Sequence, residues 1–117
     1  ITYKGATKVL PITEIVSNND FFDYKAKYLG ESQEITPARI SKQQEDKVNK
    51  VAKQVYEVLK MKGFSRSEYI FKDGEPHLLE VNTVPGLTRQ SILPQQAACA
   101  GISLSELFDN AIEEALK

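Results

Sequence analysis

The chain has 117 residues, 41% of them hydrophobic and 26% charged, with a formal net charge of −1, a balance that fits one globular domain with a real core. The near-neutral charge, without any basic run, leaves no electrostatic footprint for nucleic acid, and no apolar stretch approaches the roughly 20 residues that cross a membrane. The single cysteine, Cys99, has no partner for an internal disulfide, in agreement with a reducing cytoplasm.

No signal-like segment opens the chain. It starts at Ile1, without methionine and already inside a strand-like pattern, as a piece cut from a longer protein would. Residues 1–16 read as two extended segments around Lys4-Gly5-Ala6, with Tyr3, Val9, Leu10, Ile12 and Ile15 supplying the β-prone positions. Pro11 cannot donate to a ladder and marks an edge or a bulge, so this segment is expected to be a scaffold hairpin.

Residues 17–20 form a turn cluster, and Phe21-Phe22-Asp23-Tyr24-Lys25-Ala26-Lys27-Tyr28 follows, dense in aromatics and lysines. Lysine partners phosphate and tyrosine can close a lid, which suits a nucleotide-contacting loop; a loop merely anchored by its aromatics fits equally. Residues 31–40, with Pro37, are a connector with a short strand at 32–35. Ser41 then opens the clearest helix: Ser41-x-x-Gln44 fits a capping box, Val48, Val51, Ala52, Val55 and Leu59 recur on one face, and Gly63 stops it after Lys60 and Lys62.

Residues 64–83 read as a hairpin turning around Asp73-Gly74, with His77, the only histidine, as a surface strand residue. Pro94 suits the first turn of a short helix that Gly101 ends, in which Cys99 is expected to be a small buried residue. Ser103-x-x-Glu106 caps the last helix, whose predicted buried side is Leu104, Leu107, Phe108, Ala111 and Ile112.

The informative stretch is Leu78-Leu79-Glu80-Val81-Asn82-Thr83-Val84-Pro85-Gly86-Leu87-Thr88-Arg89-Gln90-Ser91. Side chains alternate along a strand, so Glu80 and Asn82 share a face. Both carry hard oxygen donors suited to Mg2+. The other reading is the solvent side of a half-buried strand.

Together with Arg66-Ser67-Glu68-Tyr69 and the 23–28 run upstream, in the same order, this stretch resembles the end of the D-alanine–D-alanine ligase family of the ATP-grasp superfamily. The resemblance covers nearly the whole chain. It implies an α+β fold, a mostly antiparallel sheet packed against helices, forming the C-terminal half of an ATP-grasp fold. Residues 1–117 would be one domain of a longer ligase, without the N-terminal substrate domain and the first ATP-grasp subdomain. The activity implied is ATP-dependent joining of two D-alanines through an acyl phosphate, for peptidoglycan synthesis in the cytoplasm. The implied cofactors are ATP with Mg2+ or Mn2+, and the partners D-alanine and ATP, with no nucleic acid or membrane and a full-length homodimer.

By the same resemblance, Glu68, Glu80 and Asn82 hold metal and Arg66 meets developing negative charge, where a planar fork can hold two oxygens. Lys27 meets the transferred phosphate, Tyr28 holds its loop closed, and Gly86, Ser91 and Ile92 grip the second amino acid. Two positions depart from the family: Glu68 stands where Asp is usual, and Lys25 where an acid is frequent. A ligase using D-lactate or D-serine as second substrate is the near alternative, and a non-catalytic metal-binding or interaction domain the distant one. The isolated chain is expected to be inactive and, with apolar surface exposed, to self-associate.

Strand parity makes one geometric expectation. A two-residue Asp73-Gly74 turn with a regular ladder puts Glu68 opposite Leu79, on the other face from Glu80. A three-residue loop at Lys72-Asp73-Gly74 puts Arg66 opposite Glu80 and Glu68 opposite Leu78, with all the polar groups on one face. The odd-residue loop is therefore expected, with Tyr69, Phe71, Leu79 and Val81 on the other face against a helix.

Overall fold

The computed structural model describes residues 1–17 and 32–117; the 23–28 run, with Lys25, Lys27 and Tyr28, lies outside them. In chain order the elements are β1 (Thr2–Tyr3), β2 (Ala6–Thr7), β3 (Glu14–Ser17), β4 (Ser32–Ile35), α1 (Lys42–Val58), β5 (Arg66–Lys72), β6 (Glu75–Asn82), α2 (Ile92–Cys99) and α3 (Leu104–Ala115). The strands pair antiparallel as β1-β2, β3-β4 and β5-β6, so the fold is α+β, as expected. No helix among the described residues is long and apolar enough to cross a membrane.

The capping box opens α1. Ser41 Oγ accepts the Gln44 N–H at 3.1 Å and Gln44 Oε1 accepts the Ser41 N–H at 3.1 Å. The helix ends at Val58, earlier than Gly63 suggests. Lys60 takes a left-handed φ of 54°, and the amides of Lys60 and Met61 close back onto the carbonyls of Glu57 and Tyr56. This is a Schellman motif built on lysine, and it leaves Leu59 exposed instead of on the apolar stripe. Within α1, Val48 and Tyr56 are buried. The Tyr56 hydroxyl donates to the Gly63 carbonyl at 2.8 Å and meets Thr2 Oγ1 at 2.7 Å, tying the helix to β1.

The core gathers Ile1, Leu10, Leu93, Ala97, Ile102 and Leu107 between β1, α2 and α3. Leu93 and Leu107, at 2% and 0% exposed, are the positions where truncation to alanine costs most, about 2–5 kcal/mol. Beyond Leu59, three more positions expected to be buried are not core: Cys99, Phe108 and Ile112. Cys99 is exposed, because the buried side of the short α2 runs through Leu93 and Ala97 and Cys99 falls roughly opposite at 100° per residue. On α3 the buried side centres on Leu107 and Asn110, so Ile112 remains 59% exposed and Phe108 only partly covered.

Among the described residues, Asn110 is the one buried polar side chain. Its Nδ2 donates to the Thr2 carbonyl at 2.8 Å and its Oδ1 accepts the Lys4 N–H at 3.0 Å. The amide thereby does for the β1–β2 hairpin what a neighbouring strand would do. Asn110→Ala strands a backbone acceptor and a donor and is expected to lower stability by about 2–3 kcal/mol. Urea unfolding checks this: the midpoint should fall at constant slope.

The β5–β6 hairpin corrects the parity expectation. The turn has two residues, not three: Lys72 pairs with Glu75, and Asp73 and Gly74 take φ of 54° and 79°, the paired left-handed conformation for which Asp-Gly is preferred. The ladder then slips between Glu68 and Tyr69. Tyr69 pairs with Leu78 but Glu68 pairs with Glu80, leaving Leu79 as the extra residue of a β-bulge. The expected neighbours of Leu79 accordingly do not cover it, and it is 63% exposed. Lys47 of α1 braces the turn, bonding Glu75 at 2.7 Å and the Gly74 carbonyl at 3.3 Å.

Candidate active site

The bulge decides where the polar side chains go. Beyond Leu79 the partners are Glu68 with Glu80 and Arg66 with Asn82, and cross-strand partners share a face. Arg66, Glu68, Glu80 and Asn82 therefore stand on one side of the hairpin end, as expected, but in a different pairing. A regular ladder after the two-residue turn would have split the two carboxylates between faces.

Arg66 Nη2 and Glu68 Oε1 are 2.9 Å apart, with side chains only 15% and 24% exposed. Arg66 Nε is buried without a hydrogen-bond partner among the described residues, so the guanidinium retains donor capacity beyond the ion pair. Asn82 Oδ1 accepts the Val84 N–H at 2.9 Å, the side-chain turn that leads out of β6 into the following loop. Its oxygen keeps a second lone pair.

Two carboxylates directly opposed across a ladder repel each other, and a cation relieves that repulsion. With the Asn82 amide oxygen they form a hard donor set that fits Mg2+ or Mn2+. Among the described residues no three His, Cys, Asp or Glu side chains gather, so the amide is needed to complete the set. His77 is exposed on its strand, as expected.

The loop after Asn82 delivers the second group of expected site residues. Pro85 is buried and anchors it. A Cβ at Gly86 would lie 2.8 Å from Ser91 Oγ, so the absent side chain is what admits the serine hydroxyl. Ser91 is the N-cap of α2. Ile92 is the first helical residue, in the turn where backbone N–H groups have no partner within the helix and the positive end of the dipole lies.

Arg66, Glu68 and Ile92 also line one cavity of about 750 Å³, walled further by Val48, Tyr69, Leu79 and Leu93. Burial pushes the Tyr69 phenol above its usual range, and its hydroxyl lacks a hydrogen-bond partner among the described residues. Gly86, Ser91, Glu80 and Asn82 are not part of that lining. Lys27 and Tyr28 lie outside the described residues. Sequence reasoning missed Thr88, whose hydroxyl is 2.7 Å from that of Ser91. It also missed the bulge, whose one signal is the Leu78-Leu79 doublet that interrupts the alternation before Glu80.

The chain has counterparts among known proteins. The family profile described as "D-ala D-ala ligase C-terminus" matches residues 1–113. A D-alanine–D-alanine ligase of Flavobacterium johnsoniae is 69% identical over 116 residues, which are 99% of this chain and 36% of that protein. Among solved structures, a D-alanine–D-alanine ligase from Bacillus anthracis complexed with ATP superposes with a TM-score of 0.76 at 36% identity, over 92% of this chain and 34% of its own. The D-Ala:D-Ser ligase VanG from Enterococcus faecalis gives 0.72 at 34% identity, over 89% and 31%. The chain thus spans about a third of the length of the curated relatives it matches. By sequence profile, by identity and by fold, it belongs to the D-alanine–D-alanine ligase family and matches that family's C-terminal portion.

Proposed function

We propose that the chain is the C-terminal ATP-grasp part of a cytoplasmic, homodimeric D-alanine–D-alanine ligase that serves peptidoglycan synthesis. The observation that carries this reading is the bulged hairpin, which gathers Arg66, Glu68, Glu80 and Asn82 on one face. In the reaction, the carboxylate of one D-alanine attacks the γ-phosphorus of ATP, and ADP leaves. The amine of a second D-alanine then attacks the acyl phosphate carbonyl, inorganic phosphate leaves, and the amine loses a proton.

Glu68, Glu80 and Asn82 would hold the metal, Mg2+ or Mn2+, which when bound neutralises charge on the phosphate oxygens. Arg66, anchored by Glu68, presents its remaining N–H groups to the oxygens of the transferring phosphoryl group. Lys27 adds a second positive charge there and Tyr28 keeps its loop over the substrates. Ser91, the Ile92 amide and the bare backbone at Gly86 take the second D-alanine. The test is a coupled assay of the full-length ligase with D-alanine as first substrate and D-alanine, D-serine or D-lactate as second. The reading expects D-alanyl-D-alanine as the dominant product, and it fails if D-alanine elicits no release of ADP and phosphate.

Gly86→Ala adds the Cβ that would sit 2.8 Å from Ser91 Oγ. Displacing that hydroxyl is expected to raise KM for the second D-alanine by roughly tenfold, with a smaller change in kcat. Initial rates at fixed ATP, with D-alanine varied over both binding phases, separate the two terms.

A further inference from the structure

All three helices among the described residues begin at a serine with the same backbone: φ and ψ are −69° and 158° at Ser41, −69° and 156° at Ser91, and −70° and 160° at Ser103. Two of these serines cap their helices. Ser41 Oγ accepts the Gln44 N–H and Ser103 Oγ the Glu106 N–H, each at 3.1 Å. Ser91 makes no capping bond. The difference lies three residues on, where the donor that a capping serine uses belongs to Gln44 and Glu106 in the first two helices but to Pro94 in α2. Proline has no N–H. Leu93 still offers one at the second position, and the hydroxyl does not take it. Instead Ser91 Oγ lies 2.7 Å from Thr88 Oγ1, against the open backbone of Gly86, while the Ser91 N–H holds the Thr88 carbonyl at 2.9 Å.

We propose that Pro94 and Thr88 are positioning residues for the second-substrate site: Pro94 withholds the N–H that would turn Ser91 into a helix cap, and Thr88 holds the released hydroxyl toward Gly86. The proposal rests on the reading that Ser91 contacts the second D-alanine. A serine hydroxyl has one proton. A capping serine spends its acceptor side on the helix and is drawn over the first turn. Either hydroxyl of the 2.7 Å Thr88–Ser91 contact can donate. What the contact changes is place and rotamer, holding Ser91 Oγ beside Gly86 before binding, where with Thr88 as donor its own proton points to the substrate. The three N-caps share one backbone conformation, so the missing capping bond at Ser91 coincides with the residue type at position 94 and not with a different helix geometry.

The experiment uses the full-length ligase with Ser91→Ala, Pro94→Ala and Thr88→Val, singly and with each of the latter two combined with Ser91→Ala. Ser91→Ala should raise KM for the second D-alanine by roughly 10- to 100-fold, the worth of a hydrogen bond to a charged partner. Pro94→Ala and Thr88→Val should each raise it by roughly three- to tenfold, with kcat changed less, and neither should add to the effect of Ser91→Ala. Hydrogen exchange gives a second readout: the new amide at position 94 should be protected in Pro94→Ala and lose that protection when Ser91 is also replaced. If Ser91→Ala leaves KM unchanged, the substrate reading of Ser91 falls and this proposal with it. If Ser91→Ala raises KM but Pro94→Ala and Thr88→Val do not, or if they raise it equally in the Ser91→Ala background, the positioning roles alone are overturned.

Discussion

Asn82→Ala and Glu80→Gln in the full-length ligase are expected to lower kcat on the order of 10²- to 10³-fold while leaving most of the folded protein in place. The two changes remove different things. Glu80→Gln keeps the shape of the side chain and removes its charge, which stands opposite Glu68 in the ladder. Asn82→Ala also removes the acceptor for the Val84 N–H, with a stability cost of about 1 kcal/mol. Asn82→Asp keeps that acceptor and an oxygen donor, and should recover the stability and part of the rate. Rates normalised to the folded fraction from circular dichroism make the check. A loss of activity that only tracks loss of folded protein would mean that this face is scaffold and no more.

Arg66→Lys is expected to cost a similar 10²- to 10³-fold in kcat despite keeping the charge. The ammonium of lysine cannot bond Glu68 and present a second planar pair of N–H groups at once. Arg66→Met should be worse in a separate way, because it leaves the mostly covered Glu68 carboxylate without its 2.9 Å partner. The stability loss there is tempered by the solvent that Glu68 still sees. Thermal unfolding of the two variants distinguishes them: the lysine variant should stay close to wild type and the methionine variant should drop. Glu68→Asp, which restores the residue usual in the family, should retain activity if the carboxylate serves metal as well as Arg66.

Much of the fold was legible because local chemistry and the tertiary arrangement agree. The capping signals at Ser41 and Ser103 each produced the helix start they predict, and Gly101 ends α2. What misled were places where a regular pattern was assumed to continue. The α1 stripe was carried to Leu59, but the Lys60 left-handed turn ends the helix first. The parity argument took the ladder as unbroken and so demanded a three-residue loop. The actual Asp-Gly turn is the shorter one, and a bulge at Leu79 supplies the odd residue instead.

The gathering of the four candidate residues on one face was legible for a reason independent of that error. Two polar groups spaced by two residues on each strand share a face within their strand, and either an odd-residue loop or a bulge brings the two strands into phase. Ser91 was legible as a site residue only through resemblance. Its position before a helix reads as a cap, and nothing short of the Pro94 three residues later says otherwise.

The most direct test of the central claim is Mn2+ binding to the full-length ligase in the presence of ATP, followed by electron paramagnetic resonance, for wild type, Glu80→Gln and Asn82→Ala. The account predicts that wild type immobilises Mn2+ and that both variants bind it much more weakly at unchanged circular dichroism. Undiminished Mn2+ binding by both folded variants would contradict it.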